Sequence, residues 1–452
     1  MARRGTHADT AVIVRFADSL DLQPYQAGAR QARNNQLLLA LKARAAENRA
    51  KVAPLLASIQ PSRTRELWLI NAVALTVPAV AVKQLLADPA IARVDLDSFV
   101  QGGRSQRTPV SRTAPGAAPV AMRAELRAAL ADGATDTAAQ ARRQPDWNLQ
   151  TIQVPELWAM GHRGWGVVVA TMDTGADLDH PDLARNWRGG SNSWFDPHAE
   201  EGTPYDAMGH GTQALGILVG GNSIGVAPDA QWIAARLYNG AGRASMSDIH
   251  QAFQWLMDPD ADASTPDAPD VVNASWSLTG RMTGNCNLEF ADDLRALRAA
   301  GIAVIFAAGN DGPKEATSNS PGNNPGVVSV GAIDQNLDIA RATSRGPSAC
   351  DGSVFPGLLA PGVNIPTTDL SHGGVASVTS VSGSSMAAPH AAGVMAVLMG
   401  AFPSASVAEL EQALAGTARA GEPARLNALA AFKALQAQQA SGAKPRPEVG
   451  IK

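Results

Sequence analysis

Between residues 146 and 436 the chain repeats one arrangement: a short, mostly apolar run, then a longer stretch with helical spacing. The runs fall at 167–172, 232–237, 271–275, 303–308 and 327–332. Continuous apolar runs, as opposed to alternating ones, belong to strands buried on both faces. The segments 245–257 and 290–300 carry helical periodicity, and the second runs into Gly301, where glycine commonly closes a helix. Strands separated by helices can pair only through crossovers. The region is therefore expected to be α/β, a mostly parallel sheet with helices on both faces. In such sheets the functional crevice opens outside the carboxyl ends of the strands.

The rest of the chain differs. Residues 1–98 read as a small α+β unit, with strands at 11–16 (AVIVRF), 66–77 (ELWLINAVALTV) and 91–97, and helices at 29–58 and 80–87. Residues 99–145 are rich in Gly, Pro, Ala and Arg and read as a linker with one helical patch at 121–131. Residues 437–452 read as a polar tail.

The net charge of −4 argues against a nucleic-acid partner. Its distribution is lopsided. Residues 1–145 hold 20 Lys and Arg against 11 Asp and Glu, a net +9, which leaves −13 for the remainder. This fits either a basic front docked on an acidic back or an Arg-rich mobile region. The two cysteines, Cys286 and Cys350, either remain free or close a loop whose entropy is worth about 4 kcal/mol. The first residues are not expected to form a signal peptide, and no 18-residue apolar run occurs in the sequence. The chain as it stands is expected in the cytoplasm, without a membrane span.

Four short motifs carry chemistry. In VVVATMDTGADLDHPDL, Asp173 ends an apolar strand and could orient an imidazole, although aspartate there is often only a turn residue. In DAMGHGTQALGILVGG, His210 stands between glycines where an apolar helix begins. In SVSGSSMAAPHAAGVMAVLMG, Ser385 opens another apolar helix, beside free N–H groups and the positive end of the dipole, with Pro389 tolerated in an early turn. N-capping is the commoner use of such a serine. Asn310 closes the strand before Asp311 and offers an amide to a developing oxyanion. Singly each is weak. Together, in the order Asp, His, Ser on an α/β scaffold, they match the arrangement known for subtilisin.

Over residues 146–403 the sequence resembles the subtilase family, also through NSWFDPHAEEGTPYD, GVAPDAQWIAARLYN, PDVVNASWS, AAGNDG and APGVNI. The resemblance implies a serine endopeptidase with Asp173 as orienting acid, His210 as general base, Ser385 as nucleophile and Asn310 as oxyanion donor. It implies that Ser275, Trp276 and Ser277 pair with polypeptide substrate, and that residues 1–98 are an inhibitory prodomain removed by self-cleavage between about 100 and 146, in a linker ending at Arg142-Arg143. Asp311 is expected at the rim of the P1 pocket. No cofactor is required. Calcium is a family feature for which Asp196, Glu200, Glu201 and Asp206 would be the local carboxylates, a solvated acidic loop being the simpler expectation. Secretion, common in the family, is the alternative to a cytoplasmic location. Three departures stand out: Ser384 where threonine is usual, Gln213 in place of a second histidine, and Ser277 in place of glycine.

Overall fold

The computed structural model describes residues 9–25, 30–102, 106–107, 145–416 and 422–441. The patch at 121–131, the Arg142-Arg143 pair and the end of the tail lie outside them.

The N-terminal unit contains β1 (Asp9–Phe16), α1 (Arg30–Ile59), β2 (Arg63–Leu67), β3 (Ala72–Pro78), α2 (Ala81–Ala87) and β4 (Ile91–Leu96). Its antiparallel sheet has the order β2-β3-β1-β4. The single strand expected at 66–77 is in fact a reversal. A 3-10 turn at Trp68–Ile70 and Asn71, at φ +51°, fold Leu67 back opposite Ala72. Asn71 tolerates this left-handed backbone, and its side chain is held by Asn48 and the Asp18 carbonyl.

Strand β1 shows why the unit docks. Val12, Val14 and Phe16 pack with Val52, Leu75 and Leu85 in the unit's own core. Side chains alternate along a strand, so Ile13 and Arg15 face the other way. Ile13 joins a core shared with Phe253 and Leu297. Arg15 is buried and reaches Glu289 Oε1 at 2.8 Å and Asp292 Oδ2 at 3.3 Å. Arg65 donates to Asp248 at 2.5 Å, and Lys42 pairs with Asp258. Burial opposes ionisation of Glu289, but His250 and Arg15 hold its pKa at about 2. These ion pairs across the contact are what the docking reading of the charge asymmetry expects.

Next come β5 (Phe99–Gln101) and β6 (Gln106–Arg107), both inside the expected linker. The larger region contains β7 (Val168–Asp173), β8 (Trp194–Phe195), α3 (His210–Val219), β9 (Gln231–Arg236), β10 (Arg243–Ser245) and α4 (Met246–Met257). It continues through β11 (Val271–Ala274), α5 (Ala291–Ala299), β12 (Ala303–Ala307), β13 (Val328–Ile333), β14 (Leu358–Pro361), β15 (Ile365–His372), β16 (Val375–Ser382), α6 (Ser384–Ala401) and β17 (Ala424–Arg425). Eight strands form one parallel sheet, ordered β17-β14-β13-β12-β11-β7-β9-β8. The α/β expectation holds, and Gly301 closes α5 at φ +75°.

The sheet separates two cores. Val169 of β7 packs with Leu215 of α3 and Val394 of α6 on one face; Ala170 and Met172 meet Phe253 of α4 and Leu297 of α5 on the other. Strand order reverses about β7, whose neighbours are β9 and β11. The switch-point crevice therefore opens at Asp173, the last residue of β7. A terminal helix, Ala428–Ser441, runs past the expected boundary at 436; Phe432 and Leu435 anchor it in this core, and Gln438 donates to Glu409 at 3.0 Å. Cys286 and Cys350 form a disulfide with a Cα–Cα distance of 4.7 Å. No helix among the described residues is long and apolar enough to cross a membrane.

Candidate active site

Asp173 is 1 % exposed at the end of β7. The chain must then turn sharply at Gly175, where φ is +124° and a Cβ would stand 1.9 Å from the Tyr205 carbonyl oxygen. His210 is the first residue of α3, entered through Gly209 at φ +88°. Its Nδ1 lies 2.7 Å from Asp173 Oδ1, which also accepts the Thr174 N–H at 2.7 Å. A carboxylate only accepts, so Nδ1 carries the proton and Nε2 keeps the lone pair. Burial alone would lower the His210 pKa. The Asp173 carboxylate, with Asp206 beyond it, outweighs burial and raises it above the ordinary imidazole value.

Ser385 is the second residue of α6. From 384 to 398 it alone is not fully buried. Proline lacks an N–H, so Pro389 leaves the Ser385 carbonyl without its helical partner four residues on. Ser275 Oγ donates to that carbonyl at 2.8 Å, and Asn273 Nδ2 donates to Ser275 Oγ at 3.0 Å. Pro389 thus fastens the Ser385 backbone to the end of β11.

Asn310 follows Gly309, whose φ is +101° and whose Cβ would collide with Asn319 at 2.2 Å. The Ser384 N–H donates to Asn310 Oδ1 at 2.9 Å. This orients the amide and leaves Nδ2 as a free donor. Ser384 Oγ accepts the Gly309 N–H at 3.1 Å, so the hydroxyl kept at this position ties α6 to the end of β12.

These residues share a cleft of about 440 Å³. All eight expected site residues line it: Asp173, His210, Ser385, Asn310, Ser275, Trp276, Ser277 and Asp311. His210 and Ser385 face the cleft without a direct hydrogen bond, as is common when no substrate is bound. The Trp276 ring is packed edge-on against Phe290 and Phe306, so its bulk belongs to the core. Asp311 Oδ2 accepts from Asn319 at 2.7 Å and Thr283 at 3.3 Å. Tyr238, Thr174 and Gln101 also line the cleft, and the motifs did not single them out.

The acidic loop departs from expectation. Asp196 pairs with the buried Arg236 at 2.9 Å and accepts the N–H groups of His198, Glu200 and Glu201. Glu200 also meets Arg236, at 3.0 Å. Asp206 is buried among four protein donors. Asp196 and Asp206 are thus internal acceptors of the fold and not solvated carboxylates. The described carboxylates close enough to share an ion are Asp258, Asp260 and Asp267, where Lys42 already pairs with Asp258.

The subtilase family model matches residues 164–434. Bacillopeptidase F of Bacillus subtilis is 37% identical over 299 residues, 60% of this chain but only 20% of that protein. Subtilisin E of the same organism is 30% identical over 356 residues, covering 77% of this chain and 76% of its own length. Serine protease AprX is 32% identical over 278 residues, 56% of this chain and 61% of its own. The matched span contains the parallel sheet and the cleft at its switch point, and on that footing the chain belongs to the subtilase family and is a subtilisin-like serine peptidase.

Proposed function

We propose that this chain is the self-processing precursor of an endopeptidase in which Ser385 is the nucleophile, His210 the general base and acid, Asp173 the orienting carboxylate and Asn310 an oxyanion donor. The observation that carries the reading is the Asp173–His210 bond, which leaves Nε2 unprotonated in the cleft that holds Ser385. His210 takes the Ser385 proton as Oγ attacks the peptide carbonyl. Asn310 Nδ2 and the Ser385 N–H receive the oxyanion. His210 then protonates the leaving amine, and water releases the acyl-enzyme. The steps use only side chains and backbone of this chain, with polypeptide as substrate. No calcium is assigned to the acidic loop.

His210 must be neutral to act, and its pKa is raised. Activity is therefore present above that pKa and lost as pH falls through it. The acid limb of kcat/KM is expected above pH ~6.5, the ordinary imidazole value. A profile flat from about pH 5 to 8 would contradict His210 as base.

Self-processing is supported by the path of the chain. Strand β5 pairs antiparallel with β10, opposing Gln101 to Arg243 and Val100 to Ala244. The Gly102 N–H donates to the Gly242 carbonyl at 2.9 Å, and Gln101 lines the cleft. Strand β6 pairs antiparallel with β16, placing Gln106 opposite Ser382, just before α6. Extended backbone is thus held on both sides of Ser385, with only three residues, 103–105, between the anchors. The broad interval expected for cleavage narrows to the bonds between Gly102 and Gln106, and the docked N-terminal unit becomes the intramolecular inhibitor. Intact mass and N-terminal sequencing of the active form test this. The expected new N-terminus lies within residues 103–106; a full-length active enzyme would end the precursor reading.

Asp311 has no cationic partner among the described residues and lines the cleft. It should modestly favour Lys or Arg at P1. The Lys-to-Leu preference of wild type is expected to fall in Asp311→Asn and at high salt. An unchanged ratio would remove Asp311 from specificity.

A further inference from the structure

We propose that Asp206 is a positioning residue, a buried carboxylate that fixes His210 relative to Asp173. This rests on His210 being the base, but the contacts stand independently. Asp206 is 4 % exposed and lies four residues before His210. Its Oδ1 accepts the N–H groups of Met208 at 2.9 Å and Gly209 at 2.8 Å. Its Oδ2 accepts the Thr212 N–H at 3.0 Å and the Thr212 hydroxyl at 2.8 Å. One side chain therefore grips the backbone on both sides of His210, using N–H groups that a helix start leaves without helical partners.

The same residue reaches the other half of the pair. Its main chain forms an antiparallel bridge with Gly175, two residues beyond Asp173. The neighbouring Tyr205 carbonyl occupies the space a Gly175 side chain would need. Thr212 Oγ1, while donating to Asp206, accepts the Asp177 N–H at 3.0 Å, and the Gly211 N–H donates to Thr174 Oγ1 at 2.8 Å. The loop after β7 and the first turn of α3 are therefore interlocked, with Asp206 at the joint. Only a carboxylate suits it. Asparagine would turn its NH2 either toward the Met208 and Gly209 N–H groups or toward the Thr212 N–H, leaving at least one backbone donor unpaired.

The charge matters as well. Asp173 and Asp206 are the two carboxylates that act on His210, and both favour the imidazolium formed as Ser385 attacks. Tyr238 stays neutral there, because burial and the nearby Asp173 push its pKa upward.

The test is Asp206→Asn beside Thr212→Val, each assayed per titrated active site so that misfolded protein is not counted. Misplacement of about 1 Å at a catalytic group can cost 100-fold. Asp206→Asn is expected to lose 10- to 100-fold in kcat with little change in KM, and to move the acid limb of kcat/KM to lower pH. Thr212→Val, which keeps the carboxylate, is expected to lose less kcat and leave the limb in place. A wild-type kcat and limb in Asp206→Asn, or a loss confined to KM or to the titratable fraction, would overturn the proposal. If Asp206→Asn yields no folded enzyme, an unchanged kcat in Thr212→Val overturns it. A wild type without an acid limb would instead count against His210 as base.

Discussion

Ser385→Ala is expected to lose on the order of a million-fold in kcat, a magnitude carried over from the triad serine of subtilisin, and to remain full length. The substitution removes one hydroxyl from a partly exposed helix start. The Ser385 carbonyl keeps its bond to Ser275, and Ser384 keeps its bonds to Asn310 and Gly309. The fold and docked N-terminal unit should therefore survive while acyl-enzyme formation is blocked. Turnover of a peptide substrate and intact mass over time read both effects. Trimming of Ser385→Ala between Gly102 and Gln106 at the wild-type rate, in a protease-free preparation, would exclude processing by this serine.

Asn310→Ala is expected to lower kcat by about 100- to 1000-fold, again the subtilisin scale for one oxyanion donor, with KM nearly unchanged. Because the Ser384 N–H fixes Oδ1, Nδ2 is oriented before substrate arrives. Such an interaction, made mainly with the developing charge, lowers the barrier without tightening ground-state binding. The truncation also strips Ser384 of its acceptor, a stability cost of about 1–3 kcal/mol that melting measurements separate from the kinetic loss. A rise in KM at constant kcat would make Asn310 a binding residue.

What could be read from the sequence follows what buries. β7, β9, β11, β12 and β13 are covered on both faces, so their apolar runs stood out. The hairpin β15–β16 did not, because polar IPTTDLSH and VASVTSVS lie partly exposed. Its signal was Gly373-Gly374, both at positive φ, the two-residue turn that joins such strands. The reversal at Asn71 carries no glycine or proline and depends on contacts from Asn48 and the Asp18 carbonyl, distant in sequence. At the site, Asp173, His210, Ser385 and Asn310 were legible because each closes or opens an element beside glycine or small residues. Composition groups Asp206 with the acidic loop, since charge count alone cannot tell a solvated carboxylate from one buried under four donors. Its spacing before a helix-opening histidine was the usable clue. Trp276 lines the cleft with its ring packed among the phenylalanines of the core, which leaves its backbone as the part that the resemblance assigns to substrate.

The central claim is that Ser385 is activated through the Asp173–His210 pair to attack a carbonyl. A serine-directed phosphonate mimics that attack and leaves a stable adduct, so the most direct measurement is to inactivate the wild-type enzyme and locate the label by peptide mass. The expected result is one adduct, on Ser385, formed in step with loss of activity, greatly slowed in His210→Ala and absent from Ser385→Ala. Complete inactivation with Ser385 unlabelled, or labelling of Ser385→Ala at the wild-type rate, would contradict the account.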